Sequence, residues 1–336
     1  MTSREPAEFY SALKSEVETV LVGNTDIVEG LTIALLTRGH VLLEGVPGVA
    51  KTTMATLFAR ASGLESGRIQ MTPDVLPADI TGTHIYREKT GEFELHRGPV
   101  FTNVLIADEI NRATPKSQSA LLEAMQERSV TIEGETLSLP NPFLVVATQN
   151  PIEMVGTFEL PEAQRDRFQQ RLVVSLPDRE DERRIVDAFD ERPTLGPDAV
   201  EAVATPDELR AYRERLDEVH VESSVKEYIL DLVAASRDHP DVRHGTSPRA
   251  SLALLNTSKA RAMLHGRPYV IPDDVKELAH QVITHRLILD TDAELSDTSP
   301  EAVVDDLLER VDPPGSVALD RRNGLGVGEP VAESRE

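Results

Sequence analysis

The octet Gly45-Val46-Pro47-Gly48-Val49-Ala50-Lys51-Thr52 carries the clearest chemistry in the sequence. It follows the apolar run His40-Val41-Leu42-Leu43-Glu44 and precedes a helical pattern over 53–60. A strand, a glycine-bearing turn and Lys-Thr at a helix start make the setting of a phosphate-binding loop. Glycines let backbone N–H groups turn inward around a triphosphate, and the helix start adds orphan donors and partial positive charge. In that reading Lys51 reaches the β- and γ-phosphates and the Thr52 hydroxyl holds Mg²⁺, while Gly45, Gly48, Ala50 and Thr53 complete the cradle. The common spacing G-x-x-x-x-G-K-[ST] puts glycine where this chain has Ala50. Alanine is expected there in helical φ/ψ. The competing reading of the octet alone is an ordinary strand-to-helix turn.

Such a loop needs a metal-organising acid on a nearby strand. Asn103-Val104-Leu105-Ile106-Ala107 reads as a strand buried on both faces, and it ends in Asp108-Glu109. Asp108 is placed to hold the metal with Thr52, and Glu109 to polarise an attacking water. Phe143-Leu144-Val145-Val146-Ala147-Thr148 is a further buried strand, and Asn150 just beyond it can orient that water or contact a γ-phosphate. A turn through Gln149-Asn150-Pro151 is the plainer account and is compatible with the first. Arg165, Arg167 and Arg171 cluster downstream. Arginine suits phosphate and can be supplied to a neighbour's nucleotide; ion pairing with Glu162 and Asp166 is the alternative. Arg249 opens a helix, where a cation opposes the dipole, so either an anionic ligand or an exposed site accounts for it. The histidines show no HExxH or paired spacing, and there is no G-x-S-x-G.

The elements that position these residues follow from periodicity. Helices are expected over 5–22 and through Ile27–36, a strand at 67–72, and a helix from Pro115 to about 128. Hairpins are expected at 84–96 and 130–139, a short helix opening at Pro161, and a strand at 171–176. From 178 to about 289 the pattern is helical throughout, as a separate domain: 180–189, 206–219, 224–237, 248–264 and 272–286. The expected division is 1–177 as nucleotide-binding α/β core, 178–290 as helical lid and 291–336 as an acidic, largely disordered tail, with one helix near 300–311 and disorder over 312–336.

The 336 residues hold 58 acidic and 35 basic side chains, a net charge of −23. Seven of the basic residues are Lys and 28 are Arg. High acid with little lysine matches adaptation to a salt-rich cytoplasm, as in a halophilic archaeon, and the charge disfavours nucleic-acid binding. The absence of cysteine excludes disulfides and thiolate chemistry and fits a reducing cytoplasm. No signal pattern opens the chain and no apolar run is long enough to span a membrane.

Taken together, the octet with alanine before lysine, Ala107-Asp108-Glu109-Ile110-Asn111-Arg112-Ala113, Ala147-Thr148-Gln149-Asn150-Pro151, Leu160-Pro161-Glu162-Ala163-Gln164 running into Asp166-Arg167-Phe168, and Gly245-Thr246-Ser247-Pro248-Arg249-Ala250 resemble the MoxR family of AAA+ ATPases over about residues 10–290. The resemblance implies an α/β AAA+ core with a parallel five-stranded sheet flanked by helices, followed by an all-helical lid. It makes Lys51 and Thr52 part of Walker A, Asp108 and Glu109 Walker B, Asn150 sensor 1, Arg249 sensor 2 and Arg167 the arginine finger, with Arg165 as the other candidate. It implies ATP and Mg²⁺, a homo-oligomeric ring such as a hexamer, and pore-facing hairpins. A protein client to be remodelled, matured or loaded with metal is also implied, with a separate von Willebrand factor A domain protein as partner. A nucleic-acid-dependent motor and an ATP-binding switch with low turnover are the rival functions.

Overall fold

The structure, a computed structural model, describes residues 4–89, 91–151 and 156–315. Helices α1 (Pro6–Glu18) and α2 (Thr25–Leu36) come first, then β1 (Val41–Glu44), α3 (Lys51–Ala61) and β2 (Ser66–Gln70). A short helix α4 (Pro77–Thr81) leads into a hairpin of β3 (Gly82–Arg87) and β4 (Glu92–Arg97). Next come β5 (Val104–Asp108), α5 (Pro115–Glu127), a hairpin of β6 (Ser129–Ile132) and β7 (Glu135–Ser138), β8 (Leu144–Gln149), α6 (Glu162–Arg165) and β9 (Gln170–Val173). The remainder is α7 (Arg179–Glu191), α8 (Pro206–Arg215), α9 (Ser223–Arg237), β10 (Val242–His244), α10 (Pro248–Leu264), α11 (Pro272–Ile283), β11 (Ile288–Leu289), α12 (Thr291–Leu295) and α13 (Pro300–Arg310).

Five strands pair in parallel in the order β2-β5-β8-β1-β9, the expected fold class. The apolar runs explain which strands are central. Successive residues of a strand face opposite sides, so a strand covered by helices on both faces must be apolar throughout. Val41 and Leu43 enter one core with α1, α2 and α3, while Leu42 enters the other. Val104 and Ile106 of β5 divide from Leu105 and Ala107 in the same way, as do Leu144 and Val146 of β8 from Val145 and Ala147. Edge strand β2 alternates half-buried and exposed residues instead. Fully buried Phe9, Leu13 and Val17 seat α1 on that first core, each contributing about 1.5–3 kcal/mol by burial.

The first core continues from α2 into α8, α9, α10, α11 and α13, so the helical segment shares its apolar interior with the sheet domain. Helical throughout is not what the structure shows between 178 and 289. β10 and β11 form an antiparallel ribbon, with Val242 opposite Leu289. Strands of three and two residues are too short to leave a periodic signal. The helix expected near 300–311 is α13, although the tail assigned from 291 on is packed at this point. Val303, Val304 and Leu307 of α13 are buried in the shared core, which makes residues 300–310 part of the folded lid. The remainder of the expected disordered segment, from 316 on, lies outside the described residues.

Candidate active site

All five strands run in parallel, so the carboxyl ends of β1, β5 and β8 share one edge of the sheet, where ligands of open α/β sheets bind. A cleft of about 470 Å³ opens there, lined by Gly48, Ala50, Lys51, Thr52, Thr53, Asp108, Glu109 and Asn150 among others. These are residues singled out in the sequence, brought together from three strand ends. Gly45 starts the loop. A Cβ there would stand 2.7 Å from the Val174 carbonyl oxygen, so only glycine fits between β1 and β9. Gly48 has φ +88° and open space around it.

Ala50 departs from expectation. It is the residue before α3 and holds φ 59°, ψ 28°, the left-handed region rather than helical φ/ψ. The loop must reverse there for the next N–H groups to point into the cleft, and a Cβ makes that turn costlier by roughly 1–2 kcal/mol. No side chain caps α3. Its first N–H groups therefore remain available to an anion. Lys51 Nζ rests on the carbonyl oxygens of Gly45 and Val46, the latter at 2.9 Å, folded over the loop it serves.

Thr148, at the end of β8, organises both acids. Its hydroxyl donates to Asp108 Oδ1 at 3.1 Å and accepts the Glu109 backbone N–H at 2.9 Å. Thr52 Oγ1 donates to the same Asp108 Oδ1 at 2.9 Å. A hydroxyl and a carboxylate in contact at the foot of a phosphate loop are the hard oxygen donors that Mg²⁺ takes alongside phosphate and water, so this pair fits the ion. Glu109 sits in the left-handed region, φ 57°, ψ 53°, a strain of the kind found at functional sites. Its carboxylate is held by Gln70 Nε2 at 2.7 Å and Arg112 Nη1 at 2.9 Å. Arg68 Nε donates to Asp108 Oδ2 at 2.6 Å. Sequence reasoning passed over Thr148, Arg68 and Gln70. The polar positions of β2 were the available signal, but only the sheet order shows that β2 adjoins β5, with Gln70 opposite Asp108.

The arginines are elsewhere. Asp166 is pinned by the buried Arg286, whose Nε donates at 2.8 Å, and by Ser247 Oγ at 3.1 Å; Arg249 Nη1 approaches at 3.5 Å. Phe168 is fully buried. With its two flanking residues fixed, exposed Arg167 is presented on a second cleft of about 250 Å³, lined by Arg38, Gly39, His40, Met125, Gln126, Arg128, Asp166, Arg167 and Arg249. Gly39 and His40 precede β1 and Gln169 precedes β9, with Gln169 N–H donating to His40 O. This cleft therefore lies at the amino ends of the strands, and the phosphate loop at the carboxyl ends. The four residues of β1 alone span about 13 Å at ~3.3 Å each. Arg249 is thus not brought to this chain's own phosphate loop. Arg171 is spent on Glu44 and Glu301, each at 2.7 Å, so the ion-pair reading holds for it, with partners other than Glu162 and Asp166. Arg165 does not line the second cleft, and its Nε is buried with no hydrogen-bond partner among the described residues.

Among the described residues no helix is long and apolar enough to cross a membrane, and no group of three or more His, Asp or Glu is arranged to hold a metal.

Residues 40–170 match the model of the ATPase family associated with various cellular activities, and residues 234–307 match the AAA lid domain. The chain is 46% identical over 305 residues to Chaperone MoxR1 of Mycobacterium tuberculosis, covering 88% of this chain and 80% of that one. It is 44% identical over 298 residues to the uncharacterised protein YeaC of Bacillus subtilis, 89% and 92% covered. A crystal structure of a candidate ATPase from Cytophaga hutchinsonii superposes with a TM-score of 0.85 at 39% identity, covering 91% of this chain and 95% of that one.

Proposed function

Since the chain belongs to the MoxR family of AAA+ ATPases and its activity is ATP hydrolysis, we propose that it works as a ring, a hexamer, remodelling or maturing a protein client with a separate von Willebrand factor A domain protein as partner. One observation carries the ring reading. The residues that bind and activate lie at the carboxyl ends of the strands, whereas Arg167 and Arg249 lie at the amino ends. A single chain cannot bring them to one nucleotide; a neighbour packed head to tail can. The relative named a chaperone and two exposed aromatics on the β3–β4 hairpin, Tyr86 and Phe93 at 53% and 69% exposure, support the client reading. The acid excess supports a salt-rich cytoplasm as the working medium.

The mechanism follows from the residues. The N–H groups at the start of α3 and Lys51 take the phosphates, Lys51 exchanging its carbonyl partners for them. Thr52 and Asp108 would hold Mg²⁺, which would supply charge neutralisation to the phosphates. Arg68, bonded to Asp108 Oδ2, would hold that carboxylate in place beside the ion. Glu109, aimed by its strained backbone and by Gln70, takes the proton of the attacking water, and Asn150 orients that water. Arg167 and Arg249 of the adjoining subunit meet the charge that develops on the γ-phosphoryl group.

The test is complementation. Arg167→Ala subunits keep an intact phosphate loop, and Lys51→Ala subunits keep an intact finger. Each is expected to be inactive alone, and their mixture to recover turnover, because an arginine supplied by a neighbour is worth about 10³-fold or more. A mixture as inactive as its parts, with a rate per subunit that stays flat on dilution into monomers, refutes the ring reading.

A further inference from the structure

The second cleft holds more than its two expected arginines. Arg38 and Arg128 stand beside Arg167 and Arg249 on the same lining, with Arg128 Nη2 donating to the Arg38 carbonyl oxygen. Among the described residues none of Arg38, Arg128 and Arg167 forms an ion pair, although the chain has 58 carboxylates for 35 basic side chains. Asp166, the acid on this lining, is already shared between Arg286 and Arg249.

The backbone makes the placement more telling. Arg38 follows α2 at φ 59°, and Arg128 ends α5 at φ 52°. Helices stop on a left-handed residue that is by preference glycine or asparagine. A cation near a helix carboxyl end gains from the dipole, but a lysine or arginine one turn earlier would gain the same without the strained backbone. Helices from opposite faces of the sheet each keep an arginine at the strained position beyond their carboxyl ends, and both open onto one cleft. Behind them Arg213 is buried and spends its donors on Leu35 O and Asn141 Oδ1. Burial, followed by the charges of Arg128, Arg38 and Arg210, pushes the Arg213 guanidinium down to about 9. The cluster is held together against its own repulsion, and an anion is what would relieve it.

Building on the ring reading, we propose that Arg38 and Arg128 extend the trans-acting surface, so that four arginines rather than two meet the phosphate chain of the neighbouring subunit's ATP. Arg167, in Asp-Arg-Phe, sets the direction. Whatever lies against Arg167 and Arg249 when they reach a neighbour's nucleotide lies also against Arg38 and Arg128. Their planar, multi-donor heads suit phosphate oxygens that carry growing charge in the transition state.

The complementing mixture tests this. Lys51→Ala subunits act as donors and cannot use a nucleotide of their own; Arg167→Ala subunits bind ATP. Adding Arg128→Ala, or Arg38→Ala, to the donor chain should cut the recovered kcat about tenfold, the scale of one charge-assisted contact to phosphate. Arg128→Lys in the donor should return part of that loss. The same alanine placed in the ATP-binding chain should cost less than in the donor. Ring formation is followed by sedimentation in every mixture. Recovery undiminished by the donor substitutions, or a loss equal in either chain, overturns this inference and leaves the ring reading standing. Donors that no longer join rings show an assembly role and overturn it too. No recovery in the parent mixture overturns both.

Discussion

Acidification should unlock the floor of the second cleft, and His40 sets the size of the effect. The imidazole is buried against Met125 and β8. Its Nε2 donates to Met125 O at 3.0 Å and its Nδ1 accepts the Val145 N–H at 2.9 Å. Both ring nitrogens are thus committed as a neutral ring, and burial, reinforced by Arg128 and Arg213, lowers its pKa from 6.5 to about 3. An unfolded chain takes up a proton near pH 6.5, whereas the folded chain refuses it until about pH 3. The stability is therefore intact above 6.5 and falls with pH across the interval. At about 1.4 kcal/mol per unit, the 1.5 units from pH 6.5 to pH 5 amount to about 2 kcal/mol from this residue alone. His285, also buried neutral and also lowered, with Arg286 adding to burial, acts in the same sense. Chemical denaturation of wild type and His40→Gln between pH 7.5 and 4.5 isolates the term. The variant begins less stable at pH 7.5, having lost a buried hydrogen bond, but its stability should decline about 2 kcal/mol less by pH 5. Parallel pH profiles for the two proteins would refute the reasoning, because they would mean that His40 titrates alike in folded and unfolded chains.

Two further outcomes are expected. Lys51→Ala should abolish nucleotide binding, measured with a fluorescent ATP analogue, whereas Glu109→Gln should bind ATP and hold it without turnover; unchanged turnover in Glu109→Gln would remove its role as base. The melting temperature should rise from dilute buffer to 1 M KCl, as the screening length shrinks from ~10 Å at 0.1 M to ~3 Å at 1 M and the net charge of −23 ceases to repel itself; a falling melting temperature would count against it.

The readable parts of the sequence were those where one residue's neighbours in the chain decide its role. Val41–Leu43, Val104–Ala107 and Leu144–Ala147 announce buried parallel strands because both faces of each must be apolar. Lys51 and Thr52 open the helix after β1, and Asp108, Glu109 and Asn150 close apolar strands, so each could be recognised from its own stretch of chain. Arg68, Gln70 and Thr148 were not legible, since their importance comes from which strands become neighbours: β2 next to β5, and β5 next to β8. Arg38 and Arg128 were hidden for a different reason. They are separated by 90 residues and meet only because two helices end at the same place. Ala50 was misjudged because sequence carries no record of φ, and the loop needs a reversal that alanine resists.

The placement of β1 has a consequence for synthesis. Its hydrogen-bonding partners are β8 and β9, whose first residues follow Glu44 by 100 (144 − 44) and 126 (170 − 44) positions. At ~5–20 residues per second the ribosome takes about 5–20 s to deliver the first of them. Throughout that interval Val41, Leu42 and Leu43 have no ladder to join, and the glycine loop behind them has no wall against which to hold its shape. Nucleotide cannot assist the nascent chain until β8 has been made, so an amino-terminal fragment ending before residue 144 emerges as an apolar strand without a sheet, a natural client for the cell's own holding chaperones.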